Sequence, residues 1–169
     1  MSGMGYPPRK EEAGAVHHVY SRGIARRAIF LDNEDRRTYL AMLGTVALRC
    51  RWHCLAFCLM DNHVHQLIET PVPNLGDGMR RLLGPYARRF NERHETSGHV
   101  FERRYGSRRI RDEVHLITTV RYIARNPIEA GMCETEHEWP WSSQAMLVAG
   151  TAPAWLDALR AKELLGDVY

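Results

Sequence analysis

The feature that most limits the fold is the run "WHCLAFCLMDNHVHQLIET", residues 52 to 70. Its first half is apolar at nearly every position, as expected of a strand buried on both faces. Asp61 and Asn62 then supply a two-residue turn signal, and "HVHQLIET" resumes as a second strand, so the run predicts a β-hairpin. Side chains at i and i+2 of a strand share a face, so His63 and His65 project together from one side of the sheet. Two imidazoles so placed can hold a cation. With nine histidines in 169 residues, the triplet also arises readily by chance and decides nothing alone.

The other elements follow from pattern. "MSGMGYPPRKEEAGA" has no apolar period and reads as a flexible tail over residues 1–15. "VHHVYSRGI" predicts a strand ending near Gly23, and "DNEDRRTYLAMLGTVALRC" a helix capped at Asp32 or Asn33. After the hairpin, "NLGDGMRRLLGPYARRFNERH" predicts a second helix that Gly84-Pro85 should bend or break. "RRYGSRRI" predicts a fourth strand, and "RDEVHLITTVRYIARNP" a third helix capped at Asp112 and stopping at Pro127. The order βαββαβ is the ferredoxin-like arrangement, an α+β fold with an antiparallel sheet and helices on one face, followed here by a C-terminal helix. The domain is expected over 16–150, and residues 151–169 as an extension packed on it, with one more short helix.

No run approaches the length of a membrane span and the first 20 residues carry no apolar signal core, so no membrane partner and a cytoplasmic location are expected. The four cysteines form no C-x-x-C pair, which argues against structural zinc and disulfides. The net charge of +3 hides an asymmetry: residues 80–125 hold 12 Arg and no Lys against 5 acids, whereas residues 126–169 hold 2 basic residues against 7 acids. Arg80, Arg81, Arg88, Arg89, Arg103, Arg104, Arg108 and Arg109 are the candidate DNA-binding residues, since the guanidinium fork suits phosphate. Solvated helix faces in an Arg-rich composition are the plainer reading of the same residues.

On the third helix, Leu116, Ile117, Val120, Ile123 and Ala124 form an apolar stripe. Tyr122 and Asn126, one turn apart, point together from the other side. An amphipathic surface residue is an ordinary reading of Tyr122, and a C-cap before Pro127 an ordinary reading of Asn126.

The combination of a two-histidine strand, a tyrosine, and an amide four residues on resembles the single-tyrosine HUH nucleases, with Val64 as the hydrophobic U. The motifs "HHVYSRG", "AIFLDNED", "CLMDNHVH", "GHVFERRYGS", "RYIARNP" and "WPWSS" occur in the order of an IS200-like transposase domain, and the chain is most similar to the REP-associated tyrosine transposases. The resemblance implies that Tyr122 is the nucleophile, that His63 and His65 are catalytic metal ligands with Asn126 as the third, and that the cofactor is Mg²⁺ or Mn²⁺. It implies single-stranded DNA beside a REP-type hairpin as substrate, cut through a 5′-phosphotyrosine link, with the protein a monomer or homodimer. Two residues depart from the pattern: Gln66 stands where an apolar residue is common, and Gly106 where a Lys is common.

A helix-face His115 is a further, weaker base candidate. The alternatives are a domesticated, non-catalytic hairpin-binding regulator, or a mobile IS200/IS605 transposase with sites shared between two chains. An RRM-type RNA binder is disfavoured because the RNP1 pattern is missing.

Overall fold

A computed structural model describes residues 11–166. Residues 1–10, which hold most of the expected tail, and 167–169 lie outside the described residues. The elements are β1 (Ala15–Arg22), a 3₁₀ turn (Ile24–Arg26), α1 (Asn33–Cys50), β2 (His53–Leu59), β3 (His63–Thr70), α2 (Leu75–Arg93), β4 (Gly106–Arg109), α3 (Glu113–Glu129), α4 (Ser143–Val148) and α5 (Ala158–Leu165). The strands form one antiparallel sheet in the order β2-β3-β1-β4, which is the ferredoxin-like topology expected from the sequence.

Alternation along the strands builds two apolar layers. Val19, Cys54, Phe57, Leu59, Val64 and Ile68 face α1 and α2, packing on Tyr39, Leu43, Met79, Leu82 and Tyr86. Leu55, Ala56, Cys58 and Leu67 face the other way, onto Leu116, Val120 and Ile123 of α3 and Ala161 and Leu165 of α5. The helices of the βαββαβ unit thus share one face, and the C-terminal helices α3 and α5 cover the opposite one. A bulge between Cys54 and Ala56 puts Leu55 and Ala56 on the same side, which widens the apolar floor under α3.

Two helix expectations are corrected. The break allowed for at Gly84-Pro85 does not occur: α2 runs continuously through it, because Leu82, Leu83 and Tyr86 on either side are buried and packing outweighs one missing backbone hydrogen bond. α3 does not stop at Pro127. It continues to Glu129 and ends in a Schellman motif, with Met132 N–H donating to Pro127 O (2.9 Å) and Gly131 N–H to Ile128 O (2.9 Å), Gly131 taking φ +69°. Asn126 is therefore not a C-cap but a buried residue inside the helix. The fourth strand is shorter than "RRYGSRRI", only Gly106–Arg109 pairing with β1.

Two segments after α3 cover the outer edge of β2. Leu59 N–H donates to Trp141 O (2.9 Å), Trp139 Nε1–H donates to Leu59 O (2.9 Å), and Asp157 N–H donates to Cys54 O (2.9 Å). Bridges Cys58 to Ser142 and Cys54 to Leu156 complete this cover, which protects an otherwise open strand edge. α5 is fastened by Arg160, whose Nε–H and Nη2–H donate to the two carboxylate oxygens of Glu69 at 2.8 and 2.9 Å.

Candidate active site

β3 sends His63, His65, Leu67 and Glu69 to the α3 side, and β1 sends His18, Tyr20 and Arg22 there. Asp112 caps α3 by accepting from His115 N–H (2.8 Å), and the apolar stripe seats the helix so that Tyr122 and Asn126 look back at the sheet. The four residues expected to act together do meet. The Tyr122 ring lies edge-on to His65, centroids 5.2 Å apart, and Asn126 Oδ1 lies 3.1 Å from His63 Nε2. His63 and His65 are near-perpendicular at 5.0 Å. Tyr122 is 42% exposed, so the residue is open to solvent.

The hydrogen bonds set which ring nitrogens are bare. Asn62 donates its amide Nδ2–H to Arg26 O (3.1 Å), so its Oδ1 accepts from His63 Nδ1–H at 2.7 Å. A neutral His63 then turns the lone pair of Nε2 toward Asn126 Oδ1. Two acceptors facing each other at 3.1 Å are reconciled by a shared cation, or by turning the Asn126 amide. That separation is also close to the spacing of adjacent donors about 2.1 Å from one ion in an octahedral shell. His65 contacts His18, Nδ1 to Nε2, at 2.9 Å, while its own Nε2 is buried with no partner.

Burial keeps these imidazoles neutral, as ligation requires. It lowers His65 to about 2, helped by His18, His63 and Arg22. His18 falls to about 4 through burial, Arg108 and His115. His63 is lowered by burial, with the contact to Asn126 opposing that shift and Arg22 adding to it. Among the described residues no group of three His, Cys, Asp or Glu side chains is placed to hold a metal. A site made here thus consists of two imidazoles and one amide oxygen, which fits an open, labile centre better than a closed zinc site.

The family profile described as transposase IS200 like matches residues 14–126, from the start of β1 to Asn126. The chain belongs to the IS200-like transposase family. It is 30% identical over 101 residues to a protein of Haemophilus influenzae described as a REP-associated tyrosine transposase, an alignment covering 53% of this chain and 57% of that one. The IS200-like chain therefore spans little more than half the length of this curated relative. A solved structure of a REP-associated tyrosine transposase bound to a REP hairpin superposes with a TM-score of 0.72 at 19% identity, covering 89% of each chain, and shows the shared fold.

The arginines of this IS200-like domain do not gather at the site. Arg80, Arg81, Arg88 and Arg89 lie on α2, across the sheet, and Arg80 and Arg81 are both tied to Asp77 (2.5 and 2.6 Å). Arg103 pairs with Glu102 (3.2 Å), and Arg109 pairs with Glu12 while opposing His17 on the α1 and α2 side. Arg104 is exposed and forms no ion pair among the described residues. Of the two expected arginines on β4, Arg108, opposite His18, lies on the face that carries His63 and His65. Arg108, Arg109, Arg111 and His115 line a cleft of about 1040 Å³ where β4 runs into α3. His115 itself accepts from Arg111 N–H (3.2 Å) at the start of α3, a full two turns before Tyr122, and is not placed as its base.

Sequence reasoning missed His18, Tyr20, Arg22 and Asn62. The alternation of "HHVYSR" already put the first three on one face, but only the pairing of β1 with β3 shows that this is the face of His63 and His65. The departures are explained by local packing. Gly106 has no side chain because the Tyr20 ring fills that space; a Cβ there would lie 2.1 Å from Tyr20 Cε2. Gln66 is fully buried on the α1 side, where its amide donates to Tyr39 Oη (3.3 Å).

Proposed function

We propose that this IS200-like protein is a metal-dependent, single-tyrosine DNA strand transferase that cuts single-stranded DNA beside a REP-type hairpin. The observation that carries the reading is the meeting of Tyr122 with His65, and of Asn126 with His63, across one helix-strand contact. His63, His65 and Asn126 would hold Mg²⁺ or Mn²⁺, and the unpartnered Nε2 of His65 supports that assignment. Bound there, the ion supplies Lewis-acid polarisation of a non-bridging phosphate oxygen.

Tyr122 Oη attacks the phosphorus of the scissile diester. The bond from phosphorus to the 3′ oxygen breaks, the phenolic proton leaves to solvent, and the departing oxygen takes a proton from solvent to leave as a free 3′-OH. The product is a 5′-phosphotyrosine ester, which keeps the diester's energy and lets an incoming 3′-OH reverse the step without ATP. Arg22 and Arg108, on the catalytic face at the His63 and His18 ends, contact the strand's phosphates on either side. The α2 arginines and Arg103, Arg104 and Arg109 serve the flanking duplex of the hairpin rather than the scissile link. The contacts of Tyr122 with His65 and of Asn126 with His63 are made within one chain, which favours a cut made by one copy over a site shared between two.

The test is a denaturant-stable adduct between the protein and labelled hairpin oligonucleotides from its genomic neighbourhood, with Mg²⁺ or Mn²⁺. Wild type forms it; Tyr122→Phe and His63→Ala do not. Tight hairpin binding with no adduct would instead make the protein a domesticated DNA-binding regulator.

A further inference from the structure

His18 lies outside the expected ligand set, yet it touches its centre. In the sheet register His18 pairs with Leu67 and Tyr20 with His65, so His18 and His65 are diagonal neighbours on one face. Their rings stand 5.0 Å apart, with His18 Nε2 2.9 Å from His65 Nδ1. The His18 ring also meets Tyr122 edge-on at 5.8 Å. It is therefore wedged between one candidate ligand and the candidate nucleophile.

The contact between two neutral imidazoles has one proton, and its direction decides what His65 offers on its far side. If His18 donated, the His65 proton would sit on Nε2, a buried N–H with no acceptor. If His65 donates from Nδ1, Nε2 is a bare, buried lone pair free to meet a ligand. His18 can accept that bond, because its own Nδ1 is not sealed from solvent and can keep its proton there.

We propose that His18 is a positioning residue: it accepts the His65 Nδ1–H, fixing His65 in the tautomer and ring orientation that present Nε2 to a divalent cation. The inference rests on the metal reading above, and extends it to a residue whose side chain does not itself ligate. Asn62 does the same for His63, so each imidazole has its own acceptor behind it.

The experiment reads the tautomer and the metal separately. Long-range ¹H–¹⁵N imidazole correlations on the metal-free protein should show His65 protonated on Nδ1, and His18→Ala should release it to an Nε2–H or mixed form. Mn²⁺ titration followed by electron paramagnetic resonance should show affinity reduced about 10–100-fold in His18→Ala. His18→Gln, whose Oε1 can accept the same hydrogen bond, should restore the tautomer and most of the affinity. Wild-type His65 protonated on Nε2 would overturn the proposal. So would a folded His18→Ala variant matching wild type in both readouts. If wild type binds no Mn²⁺, the metal reading falls, and the tautomer comparison still decides whether His18 orients His65.

Discussion

Gly106→Ala should destabilise the protein through one contact. The new Cβ would lie 2.1 Å from both Cε2 and Cζ of Tyr20 and 2.6 Å from its hydroxyl, where ordinary contact begins near 3.4 Å. The ring must withdraw by about 1.3 Å, and its neighbours on that face are His18 at 5.6 Å and His65 at 6.3 Å. Overpacking of this kind costs roughly 1–3 kcal/mol. For a domain of this size each kcal/mol moves Tm by roughly 2–4 °C. Thermal and urea unfolding of Gly106→Ala should therefore show a clear loss, and Gly106→Lys, which places a Cβ at the same point, should behave the same way. A Tyr20→Thr background removes the three atoms nearest the added methyl, so the double variant should lie close to Tyr20→Thr alone. An unchanged Tm for Gly106→Ala, or an equal loss with and without the Tyr20 ring, would refute the reasoning.

Three further outcomes follow from the packing. Tyr39→Phe should cost about 1–3 kcal/mol in urea unfolding, because it strips the partner from the fully buried Gln66 amide, and adding Gln66→Leu should recover part of that loss by removing the stranded group too. Equal stability of Tyr39→Phe and wild type would show that the Gln66 amide has another partner. Arg160→Ala should cost about 1.5–3 kcal/mol by leaving the buried Glu69 carboxylate without its two charged hydrogen bonds. A loss below about 0.5 kcal/mol would place that pair among surface ion pairs of little worth. Burial pushes the Cys54 and Cys58 thiols up to about 12, so at pH 8 a thiol reagent should titrate half-buried Cys133 first and reach Cys54 and Cys58 only on unfolding. Rapid reaction of either core thiol in the folded protein would contradict their placement between sheet and helices.

The hairpin was the most legible part of the chain, because an all-apolar β2 and an alternating β3 leave one register that buries the right residues. The facing of His63 and His65 came with it. The spacing of Tyr122 and Asn126 was legible too, but not which side of the sheet α3 would cover, since its apolar stripe fits either. His18 and Arg22 were hidden for a related reason: period-2 alternation says which residues share a face, not which other strand shares it. Pro127 misled because a proline removes one backbone donor without ending a helix, and the stop signal was Gly131 four residues later. The even run of arginines from 80 to 111 concealed a division by the sheet, which one-dimensional charge counting has no means to reveal.

That division turns on β3. His63 and His65 face the candidate site, Leu67 packs into the layer under α3, and Glu69 binds Arg160 of α5, all from the same face of one strand. α5 in turn shares the Leu116, Val120 and Ile123 layer through Ala161 and Leu165. The helix bearing Tyr122 is thus held against the strand bearing the histidines twice, directly by its own stripe and again through α5. A candidate nucleophile whose ring stands 5.2 Å from a candidate ligand ring needs that rigidity under the proposed function, because small misplacements of reacting groups are costly to rate. The segments after α3 therefore support the candidate site without supplying a reacting group to the proposed chemistry: they close the β2 edge and pack on the helix that carries Tyr122.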